Sequence, residues 1–160
     1  MGLLSFIKGA GQKLFGSKPV DPAAAQAEVD AANAAAAEAI VKYIHSQNLD
    51  ATDLSLSFDG ASAVVNVAGV AKDQATKEKI LLCCGNVAGV AEVDDNLTVE
   101  DTAPEAQYYT VVSGDNLSKV SKQYYGDPNK YMVIFEANKP MLSHPDKIYP
   151  GQMLRIPPLG

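Results

Sequence analysis

The chain has 160 residues and a formal charge of −6, with 47% apolar and 20% charged residues. That composition is ordinary for a folded chain and excludes wholesale disorder, and the length suits one domain or two small ones at about 100–200 residues each. No apolar run approaches the ~20 residues that span a bilayer, the adjacent Cys83 and Cys84 cannot build a disulfide framework, and the acidic balance excludes a generic nucleic-acid binder.

Charge divides the chain into three segments. Residues 1–18 carry +3, residues 19–106 carry −11 and residues 107–160 carry +2. Such contrasts predict separate units: an N-terminal amphipathic segment over 1–18, a first domain over 19–106 and a second over 107–160. In the first segment, Leu3, Ile7, Ala10 and Leu14 fall on one face of a helix, which Gly9 and Gly11 weaken. Lysines interrupt each apolar stretch of Met1–Gly16, so it does not read as a secretory signal, and a cytoplasmic location is expected. With three lysines and a short apolar face it is expected to clasp the rest of the protein rather than a membrane surface.

The alanine-rich run Ala23–Ser46 reads as a helix behind the linker at Pro19–Pro22. Leu54–Phe58 and Ala63–Val67 alternate in polarity around Asp59-Gly60, a hairpin signal. Asp73–Cys84 returns to helical spacing and Gly85 ends it. Val90–Val99 reads as a third strand. The expected order is αββαβ. Cys83 and Cys84 read as small apolar fillers, since no histidine or further cysteine completes a metal site. Asp94-Asp95 reads as a solvated strand start rather than a divalent-ion site, which needs several oxygens at once.

Beyond a linker at Asp101–Ala106, Tyr109-Thr110-Val111 predicts a strand, Asp115 an N-cap for a helix through Tyr124, and Gly126-Asp127-Pro128 a turn into a second helix ending near Asn138. Ile148-Tyr149-Pro150-Gly151-Gln152 leads into a strand at Met153–Ile156. This is a βααβ plan. The histidines, His45 and His144, fall in different units, and no HExxH, G-x-S-x-G or phosphate loop is present, so no enzyme is expected.

Several runs carry a family resemblance. Val67-Ala68-Gly69-Val70, the helix after it, and Gly85-Asn86-Val87-Ala88-Gly89-Val90 leading into Val93-Asp94-Asp95-Asn96-Leu97 resemble a BON domain. Residues 107–158 resemble a LysM domain over their whole length, which implies binding of N-acetylglucosamine polymers between the loops at Gly114–Leu117 and Asn138–Met141. Met1-Gly2-Leu3, Phe6, Lys8 and Lys13-Leu14, together with Ile134–Leu142 and Pro145–Gln152, extend the likeness across nearly the whole chain. It resembles the cytoplasmic bacterial BON–LysM potassium-binding proteins, and departs from them at Pro19–Ala39 and at Cys83-Cys84.

The resemblance implies an α+β fold of two small domains with a short N-terminal helical segment, and a monomeric potassium-ion binding protein or sensor whose domains compact on binding. On residues alone, Gly9, Gly11, Gly85 and Gly89 are either plain caps and turns or the breaks that leave helix-end carbonyls free to hold an ion. Alignment with the family implies main-chain ligands at Ile7, Ala10, Gln12, Gly85, Val87 and Val90. A ring of carbonyls suits potassium, which sheds its water more readily than small divalent ions do. A peptidoglycan- or chitin-binding module is the alternative. No nucleic-acid partner is expected, a membrane partner is not favoured, and a protein partner stays open.

Overall fold

A computed structural model describes residues 2–6, 11 and 26–159. The first unit begins with strand β1 (Gly2–Ser5) and helix α1 (Gln26–Ser46), continues through β2 (Thr52–Asp59) and β3 (Val64–Asp73), and closes with helix α2 (Gln74–Gly85) and β4 (Glu92–Asp101). The order αββαβ over residues 26–101 is the one the sequence predicts. The sheet runs β1-β4-β3-β2, with β3 and β4 parallel and the outer pairs antiparallel. Helix α1 packs on β2, and α2 packs on β3 and β4.

Helix α1 buries Ala37, Ile40 and Ile44, the i, i+3, i+7 stripe of its alanine-rich sequence. Asn48 ends it at φ +58, where the Leu49 N–H donates to the Ile44 carbonyl and the Asn48 N–H to that of His45. This left-handed stop buries Leu49 against the core. The hairpin at Asp59-Gly60 forms with a four-residue loop, 60–63, rather than a two-residue turn. Asp59 holds it by accepting from the Ala61 N–H and the Ser62 hydroxyl.

The N-terminal helical expectation is corrected at its start. Gly2–Ser5 is a strand paired antiparallel to β4, with Leu4 opposite Val93 and Leu3 opposite Asp94. Leu4 packs towards the core and Leu3 is 59% exposed, the alternation of a strand. Four residues fit either period, and the open edge of β4 decides between them by supplying backbone partners. Residues 7–10 and 12–25 lie outside the described residues.

The second unit pairs β5 (Gln107–Thr110) with β6 (Met153–Ile156), antiparallel, around helices α3 (Leu117–Tyr125) and α4 (Tyr131–Ala137), with a 3-10 turn at Pro128–Lys130. This is the expected βααβ plan. The N-cap of α3 is Asn116, which accepts from the Lys119 N–H, and not Asp115. Asp115 is engaged elsewhere, accepting from the Val112 N–H and the Tyr109 hydroxyl. Val111, Leu117, Val120, Ile134, Leu154 and Ile156 form the core of this unit.

The two units meet where α2 lies against β6. All four residues of β6 are buried, because its two faces serve two cores. Leu154 and Ile156 point into the second unit, while Met153 joins the core of the first. Arg155 shares the Met153 face and reaches Glu78 of α2.

Candidate functional site

The C-terminal end of α2 and the loop 86–91 hold three of the six expected ligand positions. Asp73 starts the helix by accepting from the Thr76 N–H at 2.8 Å. The Asn86 N–H donates to Leu82 at its other end. The last carbonyls of a helix lack intrahelical partners and carry the negative end of its dipole. Past Asn86 the chain turns sharply: the Val90 N–H donates to the Val87 carbonyl at 3.1 Å, and Gly89 takes φ +103. Val87 and Val90 bury their side chains completely.

The N-terminal segment lies along this loop. The Phe6 N–H donates to the Ala91 carbonyl at 2.7 Å. The Phe6 ring covers Gly85 so closely that a Cβ there would fall 2.0 Å from Phe6 Cζ. Gly11, at φ +104, stands against the peptide joining Asn86 and Val87, where its Cβ would fall 2.4 Å from the Asn86 carbonyl carbon and oxygen. Gly85, Val87 and Val90 are thus brought together beside Phe6 and Gly11. Ile7, Ala10 and Gln12 lie outside the described residues.

The donors of this loop are peptide groups. Among the described residues no three His, Cys, Asp or Glu side chains cluster as a metal site. Asp94 and Asp95 point to opposite faces of β4. Asp95 is buried, accepting from the Leu97 N–H at 3.0 Å and pairing with Lys77 at 3.3 Å. Cys83 and Cys84 are buried free thiols, and burial pushes the Cys83 thiol up to about 12 and that of Cys84 well above its ordinary value. Neutral carbonyls suit a monovalent cation better than a divalent one.

Behind the loop lies a junction that sequence reasoning missed. The Asn86 side chain makes two hydrogen bonds to the backbone of Met153: its Nδ2 donates to the carbonyl at 2.8 Å, and its Oδ1 accepts from the N–H at 2.9 Å. Asn138 does the same at Arg155, two residues along, donating to its carbonyl at 3.0 Å and accepting from its N–H at 2.9 Å. The N–H and C=O of alternate strand residues face the same side, so two asparagine amides stand in for a neighbouring strand along the free edge of β6. One comes from each unit. Glu78 completes the junction: Oε1 accepts from Arg155 Nη2 at 2.7 Å and Nε at 3.1 Å, and Oε2 accepts from Gln74 and the Ala106 N–H. Arg155, the chain's single arginine, stands in an otherwise apolar run. That was the legible signal for a buried partner.

The two loops expected to form a glycan groove differ in surroundings. Ser113 and Gly114 are exposed. In the other loop, Asn138 is buried, Met141 packs against the first unit's core, and Pro140 stands at the rim of a cleft of about 560 Å³ shared with Thr76 and Lys79. Among the described residues no helix is long and apolar enough to cross a membrane.

The LysM domain model matches residues 109–157. A potassium binding protein, Kbp, of Escherichia coli O6:H1 is 43% identical over 157 residues, covering 98% of this chain and 99% of that protein. A protein of Deinococcus radiodurans described as uncharacterized is 50% identical over 58 residues, 36% of this chain and 21% of its own length. With such identity to Kbp over both whole lengths, and a LysM domain at the C-terminal end, the chain belongs to the family of the potassium binding protein Kbp.

Proposed function

We propose that this protein binds potassium through main-chain carbonyls of Gly85, Val87 and Val90 together with those of Ile7, Ala10 and Gln12, and acts as an ion-binding protein or sensor rather than an enzyme. The observation that carries this reading is the approach of Gly11 to the Asn86–Val87 peptide, nearer than any side chain allows. Ile7 and Ala10 neighbour Phe6 and Gly11 in sequence, and Gln12 follows Gly11. A helix end, a tight turn and an apposed backbone together offer carbonyl dipoles without carboxylates, a set suited to a weakly hydrated monovalent ion. The name of the Escherichia coli relative supports the same ion.

Residues 19–106 act in this reading as a BON domain that carries the ion loop, and residues 107–160 as a LysM domain docked behind it. Binding draws the N-terminal segment onto the loop and compacts the monomer. A cytoplasmic site of action suits the ion, since potassium is the chief cation there, and cell fractionation tests it.

Calorimetric titration of the full chain with KCl and with NaCl at matched ionic strength is the decisive test. Saturable heat is expected with potassium and none with sodium. Removal of residues 1–12 is expected to abolish it. Equal heats for the two salts, or undiminished binding after the deletion, overturn the reading.

A further inference from the structure

Asn86 receives two distant parts of the chain at once. Gly11 of the N-terminal segment presses on its backbone carbonyl, and β6 of the second unit holds its side chain. We infer that Asn86 is a positioning residue for the ion loop: by pairing with Met153 as a surrogate strand, it fixes the peptide between two expected ligand positions, Gly85 and Val87. The inference rests on the potassium reading above and adds the route by which the second unit sets affinity.

A carbonyl cage selects an ion only if its dipoles are held before the ion arrives, since ordering them on binding costs affinity. Among the described residues the Val90-to-Val87 turn bond lies within loop 86–91, whose ends are tied outward by the Asn86 N–H to Leu82 and the Ala91 N–H to Ala63. The two Met153 hydrogen bonds restrain residue 86 itself, because a side-chain amide bonded at both ends has one orientation. They fall on the free edge of β6, whose register β5 and Asn138 already fix. The restraint therefore comes from a rigid strand and not from another loop. Both polar ends of the Asn86 side chain face Met153 on β6.

Glu78 supplies the control. It joins the same two elements, α2 and β6, yet sits two helical turns before the loop and touches none of it. A variant there weakens the junction without releasing residue 86.

The test compares Asn86→Ala with Glu78→Gln in the full chain, by KCl titration and by backbone amide exchange of Val87–Ala91 without potassium. Asn86→Ala is expected to lose affinity about tenfold, the loss of a net hydrogen bond or two. Its loop amides are expected to exchange about tenfold faster. Glu78→Gln is expected to lower the melting temperature while keeping affinity and loop exchange within about twofold. Unchanged affinity and exchange in Asn86→Ala overturn the inference. So does an equal loss of affinity in Glu78→Gln, which makes the effect one of general docking. A parent chain that takes up no potassium overturns the ion reading instead, and loop exchange then still decides whether Asn86 holds the loop.

Discussion

Glu78 and Arg155 stand 77 positions apart in the chain and meet 2.7 Å apart between the two units, with side chains 2% and 8% exposed. Neither charge is left to itself: Gln74 and the Ala106 N–H fill the other carboxylate oxygen, and Arg155 Nη1 donates to the Ala137 carbonyl. Removing one partner strands the other in a buried junction. Glu78→Ala is therefore expected to cost ~3–5 kcal/mol in urea unfolding of the full chain. Glu78→Leu with Arg155→Met is expected to recover only part of that, because the Ala106 N–H and the Ala137 carbonyl lose their partners too. A single variant as stable as the parent contradicts the assignment.

The two thiols make a second prediction. Cys83 and Cys84 are 1% and 0% exposed, and burial pushes the Cys83 thiol up to about 12. Thiolate is the reactive form, so both are expected to resist a thiol reagent at ~pH 8 in the folded chain and to label together once denaturant is added. Prompt labelling of either thiol in the native protein speaks against their role as core fillers.

Both element orders were legible because their signals are local. Leu54–Phe58 alternates, Asp59-Gly60 turns, and glycine, aspartate and proline punctuate the second unit at 126–128. Strand β1 was not legible, since its pattern fits two periods and the edge of β4 chooses between them. Of the junction, the lone arginine in an apolar run was the one local signal: Met153–Ile156 is buried on both faces, so no regular alternation says which core each residue serves. The loop proposed to hold the ion was only half legible: glycines mark where backbone approaches backbone, but a carbonyl has no side-chain signature. Asn86 falls within the Gly85–Val90 run, yet nothing local says that its amide serves a strand 67 positions away.

Acid should expose the cap of α2. Hydrogen bonds from the Thr76 side chain and N–H hold the Asp73 carboxyl below its usual value. A depressed folded-state pKa contributes stability above the unfolded value of ~3.9, and that contribution is lost as pH falls through the folded one. Asp73→Ala is expected to cost about 1 kcal/mol at neutral pH, as a lost N-cap does. The gap between parent and variant should close below ~pH 4 in urea unfolding followed across pH. A gap that holds constant into stronger acid rules out the cap as its source.

The LysM domain bears on the alternative function. Met141, in one of the two loops expected to line a glycan groove, packs against the first unit's core. Engaging that loop with sugar requires part of the junction to open, so the full chain is expected to bind chitin oligomers weakly or not at all. Titration with a short oligomer checks this. Micromolar affinity shows the groove open and favours the glycan reading.

The last prediction separates the N-terminal clasp from the loop it covers. A Cβ on Gly85 would fall 2.0 Å from Phe6 Cζ, and one on Gly11 would fall 2.4 Å from the Asn86 backbone. The two glycines guard different contacts. Gly85→Ala evicts an aromatic ring from the edge of the core, so it is expected to lower stability directly, by an amount near that of Phe6→Ala, about 3 kcal/mol. The double variant should then cost little more than either single one, since both remove the same ring contact. The atoms nearest to a Cβ on Gly11 are those of the Asn86–Val87 peptide, and φ +104 is strained for any residue with a Cβ. Gly11→Ala is expected to lift the segment off the loop, so that the rise in melting temperature that KCl gives by mass action is lost. Melting curves of the parent and both variants in KCl and in NaCl at matched ionic strength decide it. A potassium-dependent rise that survives intact in Gly11→Ala shows that the close backbone approach is not part of the ion site.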